Sequence, residues 1–287
     1  MRAIAPAMRD GREARAALEQ ALHREFGASA VVLTDSGTSA LAMALRASTP
    51  EGGLVAMPAY ACVDIGAAAL FASVRVMLYD VDPATLSPDL DSVARVLARG
   101  ACTVVVAHLY GYPANVPAVR ALADAHGATV IEDAAQGAWG SLAGVRLGAI
   151  GPLSVLSFGR GKGLTGSGGG ALLAIGERGR ELLDLVRTPG PARGGARTLA
   201  TAAAQWALGR PALYALPASI PALHLGETIY HPAHAPRAIT AVSASLVRAA
   251  LGRAQTDLAA RARNAHELSL AASAAKGVRC IAPLPGA

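Results

Sequence analysis

Residues 102–136, CTVVVAHLYGYPANVPAVRALADAHGATVIEDAAQ, set the architecture. Residues 102–107 are a short continuous apolar run, the length of a strand. Residues 115–126 read as a helix. Residues 128–132 are a second short apolar run, closing on two acids, Glu132 and Asp133. Strand, helix and strand in this order make one right-handed crossover of a parallel sheet covered on both faces.

The alternation extends in both directions. Upstream, helices are expected over 11–25, 39–46, 63–72 and 88–98, with strands over 30–34, 54–57 and 74–79. Downstream, PLSVLSF (152–158) and GALLAI (170–175) read as strands joined by a glycine-rich loop, GRGKGLTGSGG, and a helix follows over 177–187. The fold class is therefore α/β, with a mainly parallel sheet and helices on both faces. Three regions are expected: residues 1–187 as a large α/β domain, 188–236 as a linker with an apolar, proline-punctuated insertion, and 237–287 as the start of a small domain. In the last region a long helix, or a broken pair, is expected over 240–273, with a strand starting at Val278.

Composition excludes several classes. Of 287 residues, 53% are hydrophobic and 16% charged, so a large core forms and bulk disorder is ruled out. Aromatics are only 4%, which leaves Ala, Val and Leu to fill that core. Cys62, Cys102 and Cys280 are odd in number and widely spaced. They form neither a disulfide framework nor a zinc ribbon; no metal site is expected, and a reduced, cytoplasmic protein is. The net charge of +6 comes from dispersed basic residues, so no nucleic-acid partner is expected, while anionic phosphorylated ligands are compatible. No membrane span is expected, because the most apolar stretch, 198–223, is broken by Arg210, Pro211, Pro217 and Pro221.

Of the 26 basic residues only Lys162 and Lys276 are lysines. Arginine cannot deprotonate to a nucleophilic amine and lysine can, which singles out Lys162 in its glycine-rich loop. That loop does not fit a Walker motif. Gly161, Gly163 and Gly166 satisfy G-x-G-x-x-G, but they lead into a strand rather than opening a helix. Glu132 and Asp133 stand at the carboxyl end of a parallel strand, where open α/β sheets bind ligands, and either could equally cap a helix. Ser36-Gly37-Thr38-Ser39 precedes a helix and offers hydroxyls and free N–H groups to a phosphate; it could also be a plain N-cap. A phosphate cradle, an amine for an aldehyde and a carboxylate for a pyridine nitrogen together match pyridoxal 5'-phosphate.

The motifs SGTSAL (36–41), HLYGYPA (108–114), VIEDAAQ (130–136) and SFGRGKGLTGSGGGAL (157–172) resemble, in order and spacing, those of the DegT/DnrJ/EryC1/StrS family of pyridoxal-phosphate-dependent sugar aminotransferases. The resemblance implies the type I, aspartate-aminotransferase-like fold, with an incomplete small C-terminal domain. It makes Lys162 the cofactor-bearing lysine and Asp133 the partner of the pyridine nitrogen. Gln136 would lie beside the ring oxygen. Gly37, Thr38 and Ser39 would hold the phosphate, with Ser157 adding a hydroxyl. Cys62 would stand where the family stacks an aromatic ring, with Tyr60 two residues earlier as the other candidate cover. His108 matches a family position; a histidine hydrogen-bonded at a strand end is the plainer reading. The implied reaction moves an amino group, from glutamate, to a nucleotide-linked keto-sugar in polysaccharide, cell-envelope or secondary-metabolite biosynthesis, in a homodimer. A lyase or racemase on the same cofactor, or a non-catalytic homologue, is the alternative.

Overall fold

A computed structural model describes residues 11–208, 210–220, 230, 232 and 234–287. Of the linker and insertion expected over 188–236, residues 209, 221–229, 231 and 233 lie outside the described residues.

Seven strands form the central sheet: β1 Ala30–Thr34, β2 Leu54–Pro58, β3 Arg75–Tyr79, β4 Thr103–Ala107, β5 Thr129–Asp133, β8 Leu153–Ser157 and β9 Gly170–Ala174. A two-stranded hairpin, β6 Ser141–Leu142 with β7 Val145–Arg146, sits between β5 and β8 and was not foreseen in the sequence. The strand order is β1-β9-β8-β5-β4-β2-β3. Only β9 runs antiparallel to its neighbours, β1 and β8. This is the mainly parallel sheet expected of the α/β class.

The helices are α1 Gly11–Phe26, α2 Gly37–Ser48, α3 Val63–Ala72, α4 Leu90–Leu97, α5 Val116–Ala125, α6 Gly176–Asp184, α7 Gly195–Leu208, α8 Pro211–Ala218, α9 Ala241–Leu251 and α10 Ala254–Ser273. Every residue of β2, β4 and β9 is buried, as central strands covered on both faces require. Period-two alternation divides their side chains between two layers. Val55, Met57, Val105 and Ile131 pack under α2 and α3. Ala56, Val104, Val106 and Val130 pack with residues of α4 and α5 on the other face. On that second face, beside β1 and β9, Leu18, Leu22 and Phe26 of α1 bury an i, i+4, i+8 stripe together with Ala244 and Val247 of α9.

Of the two forms expected over 240–273, a long helix or a broken pair, the structure has the broken pair, α9 and α10, separated at Gly252–Arg253. One expectation needs correction: the strand expected from Val278 does not form. The tail instead spends its backbone hydrogen bonds one at a time, from Ala282 N–H to the Ala84 carbonyl (2.9 Å) and from Ala143 N–H to the Gly286 carbonyl (2.8 Å). A strand needs a neighbour with a matching free edge, and none lies beside this segment among the described residues.

Candidate active site

The carboxyl ends of β1, β5 and β8 open on one cleft, at the strand-end position where open α/β sheets bind ligands. Gly37 and Thr38 line it from the start of α2, Cys62 and Asp64 from the start of α3, Asp133 and Ser157 from the strand ends, and Lys162 from the glycine-rich loop.

Each group is placed by local chemistry. Ser36 caps α2: its Oγ accepts the Ser39 N–H (3.0 Å) and its carbonyl accepts the Ala40 N–H (3.1 Å). The helix therefore starts at Gly37, two residues earlier than the sequence suggested, and its positive end abuts the cleft. Two glycines permit this turn. A Cβ on Gly37 would sit 2.8 Å from the Ser157 Cβ, and one on Gly170 would sit 2.5 Å from the Ser36 carbonyl carbon. The turn after β1 thus passes directly over the start of β9 and the end of β8.

Asp133 is the last residue of β5 and Glu132 the one before, so the pleat sends them to opposite faces. Asp133 Oδ1 accepts the Ala135 N–H at 2.9 Å. Its Oδ2 has no hydrogen-bond partner among the described residues. Burial pushes its carboxyl above the ordinary range, and Asp64 adds to this; the Ala135 N–H and the Lys162 charge oppose it without cancelling it. Lys162 makes no side-chain hydrogen bond among the described residues. Its loop is held by its own backbone: the Phe158 carbonyl accepts the N–H groups of Gly166 (2.8 Å) and Gly168 (3.2 Å). Arg261 of α10 donates to the Gly163 carbonyl at 3.2 Å.

Glu132 faces the interior and is fully buried. Its Oε1 accepts from His108 Nε2 (2.9 Å) and the Gly148 N–H (2.6 Å). Its Oε2 accepts from the N–H groups of Ile150 and Gly151 (both 2.8 Å) and from the Ser154 hydroxyl (3.0 Å). His108 Nδ1 accepts the Ala114 N–H at 2.9 Å, so the ring proton sits on Nε2. Burial alone would raise the Glu132 carboxyl, but the His108 hydrogen bond, with the Gly148 and Gly151 N–H groups, holds it below the ordinary range. This pair fixes the floor of the site and does not face the cleft.

Of the residues singled out in the sequence, Gly37, Thr38, Cys62, Asp133, Ser157 and Lys162 come together in the cleft. Ser39 does not line it; its hydroxyl lies 3.0 Å from the Ser36 hydroxyl. Gln136 does not line it either: its Oε1 accepts the Tyr110 N–H at 2.6 Å and holds Tyr110 in a left-handed conformation (φ 56°). Tyr60 stands outside as well, its hydroxyl 2.5 Å from that of Tyr110 at the exposed rim. Sequence reading passed over Asp64, Leu41, Ile65 and Val155, all of which line the cleft. Asp64 sits in the first turn of α3, where an acid is unremarkable, so nothing in its spacing marked it.

Comparison with known proteins agrees with this geometry. The chain is 35% identical over 155 residues to the L-glutamine:2-deoxy-scyllo-inosose aminotransferase of Streptomyces paromomycinus, a match spanning 54% of this chain and 37% of that protein. It is 32% identical over 139 residues to the UDP-N-acetyl-3-dehydro-alpha-D-glucosamine 3-aminotransferase of Acidithiobacillus ferrooxidans, spanning 48% and 38%. These matches cover well under two thirds of the relatives' lengths. Among solved structures, the sugar aminotransferase CalS13 from Micromonospora echinospora superposes with a TM-score of 0.70 at 25% identity, over 95% of this chain and 69% of that one. The structural likeness carries the type I transferase fold. The sequence matches the DegT/DnrJ/EryC1/StrS aminotransferase family over residues 6–282, and the chain belongs to that family.

Proposed function

We propose that this chain is a pyridoxal-phosphate-dependent aminotransferase acting on a keto-sugar. The observation that carries the reading is the meeting, in one cleft, of a lysine amine, a partnerless carboxylate oxygen and a helix N-terminus from positions 162, 133 and 37.

The residues fit the cofactor. Asp133 is a half-buried carboxylate whose pKa is pushed up by burial, with one oxygen unclaimed among the described residues; a cationic pyridine nitrogen would satisfy that oxygen and favour its charged form. Gly37, Thr38 and the positive end of α2, with the Ser157 hydroxyl, would hold a phosphate dianion. When bound, pyridoxal phosphate supplies a ring that accepts the electron pair of the carbon bearing the transferred amino group.

Lys162 anchors the cofactor through Nζ. Its Nζ, when free, would serve as the base that takes the proton from the donor's α-carbon and returns it. Asp133 would keep the ring nitrogen charged. Cys62, at the start of α3, lines the cleft and would bound the ring from one side. In this reading residues 1–187 bind the cofactor, the chain works as a cytoplasmic homodimer, and the acceptor is a keto-sugar, nucleotide-linked as in the name of the Acidithiobacillus relative. Glutamate is the expected donor. The name of the Streptomyces relative carries L-glutamine, which makes glutamine the second donor to try.

The test is the visible absorbance of the purified protein supplied with cofactor, for wild type and Lys162→Ala, before and after glutamate or glutamine. The expected result is a lysine-dependent band that bleaches with a donor only in wild type. A band that no donor alters would leave a lyase, a racemase or a non-catalytic homologue. Absence of any band in folded wild type would overturn the cofactor assignment.

A further inference from the structure

The acid content of the chain has a conspicuous gap. Between Leu185 and Gly226 there is no Asp or Glu, while Arg187, Arg193, Arg197 and Arg210 all fall inside. The described part of this stretch, 185–208 and 210–220, contains α7 followed by α8. No residue of α7 is buried. Its inner side rests on α9, and the outward surface of the pair presents Trp206 (73% exposed), Leu208, Leu213, Tyr214 and Ile220. The Arg210 guanidinium lies 4.9 Å from the centre of the Trp206 ring, so charge and aromatic surface are presented together.

A soluble surface seldom keeps large apolar side chains this close together without acids between them. Two features narrow what covers it. A second copy of the chain packed face to face would set arginines against arginines with no carboxylate to pair them. A surface of indole, phenol and aliphatic groups interleaved with arginine, and free of acids, complements an apolar phase with anionic headgroups. No helix among the described residues is long and apolar enough to cross a membrane, and α7 and α8 are short, so contact must be in the plane of the interface.

We propose that α7 and α8 form a docking surface for an anionic lipid bilayer, on which Trp206, Leu213 and Tyr214 enter the headgroup boundary and Arg197 and Arg210 meet lipid phosphates. The proposal is independent of the reaction in the cleft.

The chain offers its own probe. It contains two tryptophans: Trp139 is 5% exposed in the core and Trp206 is open to solvent. The experiment mixes the full chain with phosphatidylcholine vesicles, with and without phosphatidylglycerol, and follows tryptophan emission and co-flotation. The expected result is a blue shift and flotation with the anionic vesicles, both reversed by salt. Trp206→Phe should float normally but show no shift, because Trp139 is already shielded. Arg197→Gln and Arg210→Gln should each lower partitioning about fivefold. Neither side chain is part of the cleft. Three outcomes overturn the proposal: no shift or flotation of the folded wild type, equal binding to uncharged vesicles, or binding to an RNA oligonucleotide but not to vesicles. A free protein already oligomeric through this face, made monomeric by Trp206→Ser, would overturn it as well.

Discussion

His108 Nε2 donates to Glu132 Oε1 at 2.9 Å, and both side chains are wholly sealed from solvent. The pair joins the end of β4 to β5 and, through Glu132, tethers the Gly148–Gly151 segment that leads into β8. Asp133 is held one residue further on. The rigidity of the cleft floor thus comes from a pair that never touches the cleft.

Replacing Glu132 by Leu should cost about 3–5 kcal/mol, because the N–H groups of Gly148, Ile150 and Gly151 and the His108 ring lose their acceptor inside the protein. The pH dependence follows from the lowered folded pKa. The stability Glu132 contributes is complete above the unfolded carboxylate value of about 4.3 and is lost as pH falls through the lower folded value. Urea unfolding midpoints across acidic pH should show this loss in wild type and a shallower one in Glu132→Gln. Identical pH profiles would argue against the ionised carboxylate.

Asp133 carries the opposite sign. Its folded pKa is raised, so its contribution is intact below the unfolded value and is lost as pH rises through the folded one. Asp133→Asn should therefore raise the urea midpoint of the cofactor-free protein at neutral pH. The same change should abolish turnover, since an amide cannot balance a ring cation. Equal midpoints for variant and wild type would remove the claim of a strained carboxylate.

Gly170→Ala should lose about 1–3 kcal/mol of stability and weaken phosphate binding together. Its Cβ meets the Ser36 carbonyl carbon at 2.5 Å, and backbone cannot rotate away as a side chain would. Chemical denaturation combined with titration of inorganic phosphate or pyridoxal phosphate reads both effects. A variant with native stability and native phosphate affinity would show that the turn after β1 has slack.

Ser167 has φ 61°, and its buried hydroxyl has no hydrogen-bond partner. Ser167→Gly removes a left-handed non-glycine residue and an orphaned hydroxyl at once, and should stabilise the chain by about 1–2 kcal/mol. Thermal unfolding measures it. A drop in midpoint would mean that the hydroxyl is satisfied in solution.

Much of the central sheet and its helices was legible because each segment carried its own period. The strand read over 30–34 is β1, and the helix read over 63–72 is α3. Helix α2 was read two residues short because its start depends on Ser36 folding back to cap it, a bond between residues three apart that composition does not display. The β6–β7 hairpin went unread because two-residue strands have no period to detect. The strand expected at Val278 failed for a different reason: apolar residues permit a strand, but a vacant sheet edge makes one.

The sequence by itself determined the alternation of strand and helix, the solitary lysine in its glycine-rich loop, and the order of motifs that marks the family. These depend on near neighbours and on residue chemistry. Only the tertiary structure decided which residues face the cleft. It turned Glu132 inward to His108 and Asp133 outward, tied Gln136 to Tyr110 and Tyr60 to the rim, and left Cys62 and Asp64 on the wall. It also left α7 and α8 with an exposed apolar face among the described residues. Those outcomes follow from sheet pleat and from packing between segments 24 to 50 residues apart, which no local stretch of sequence encodes.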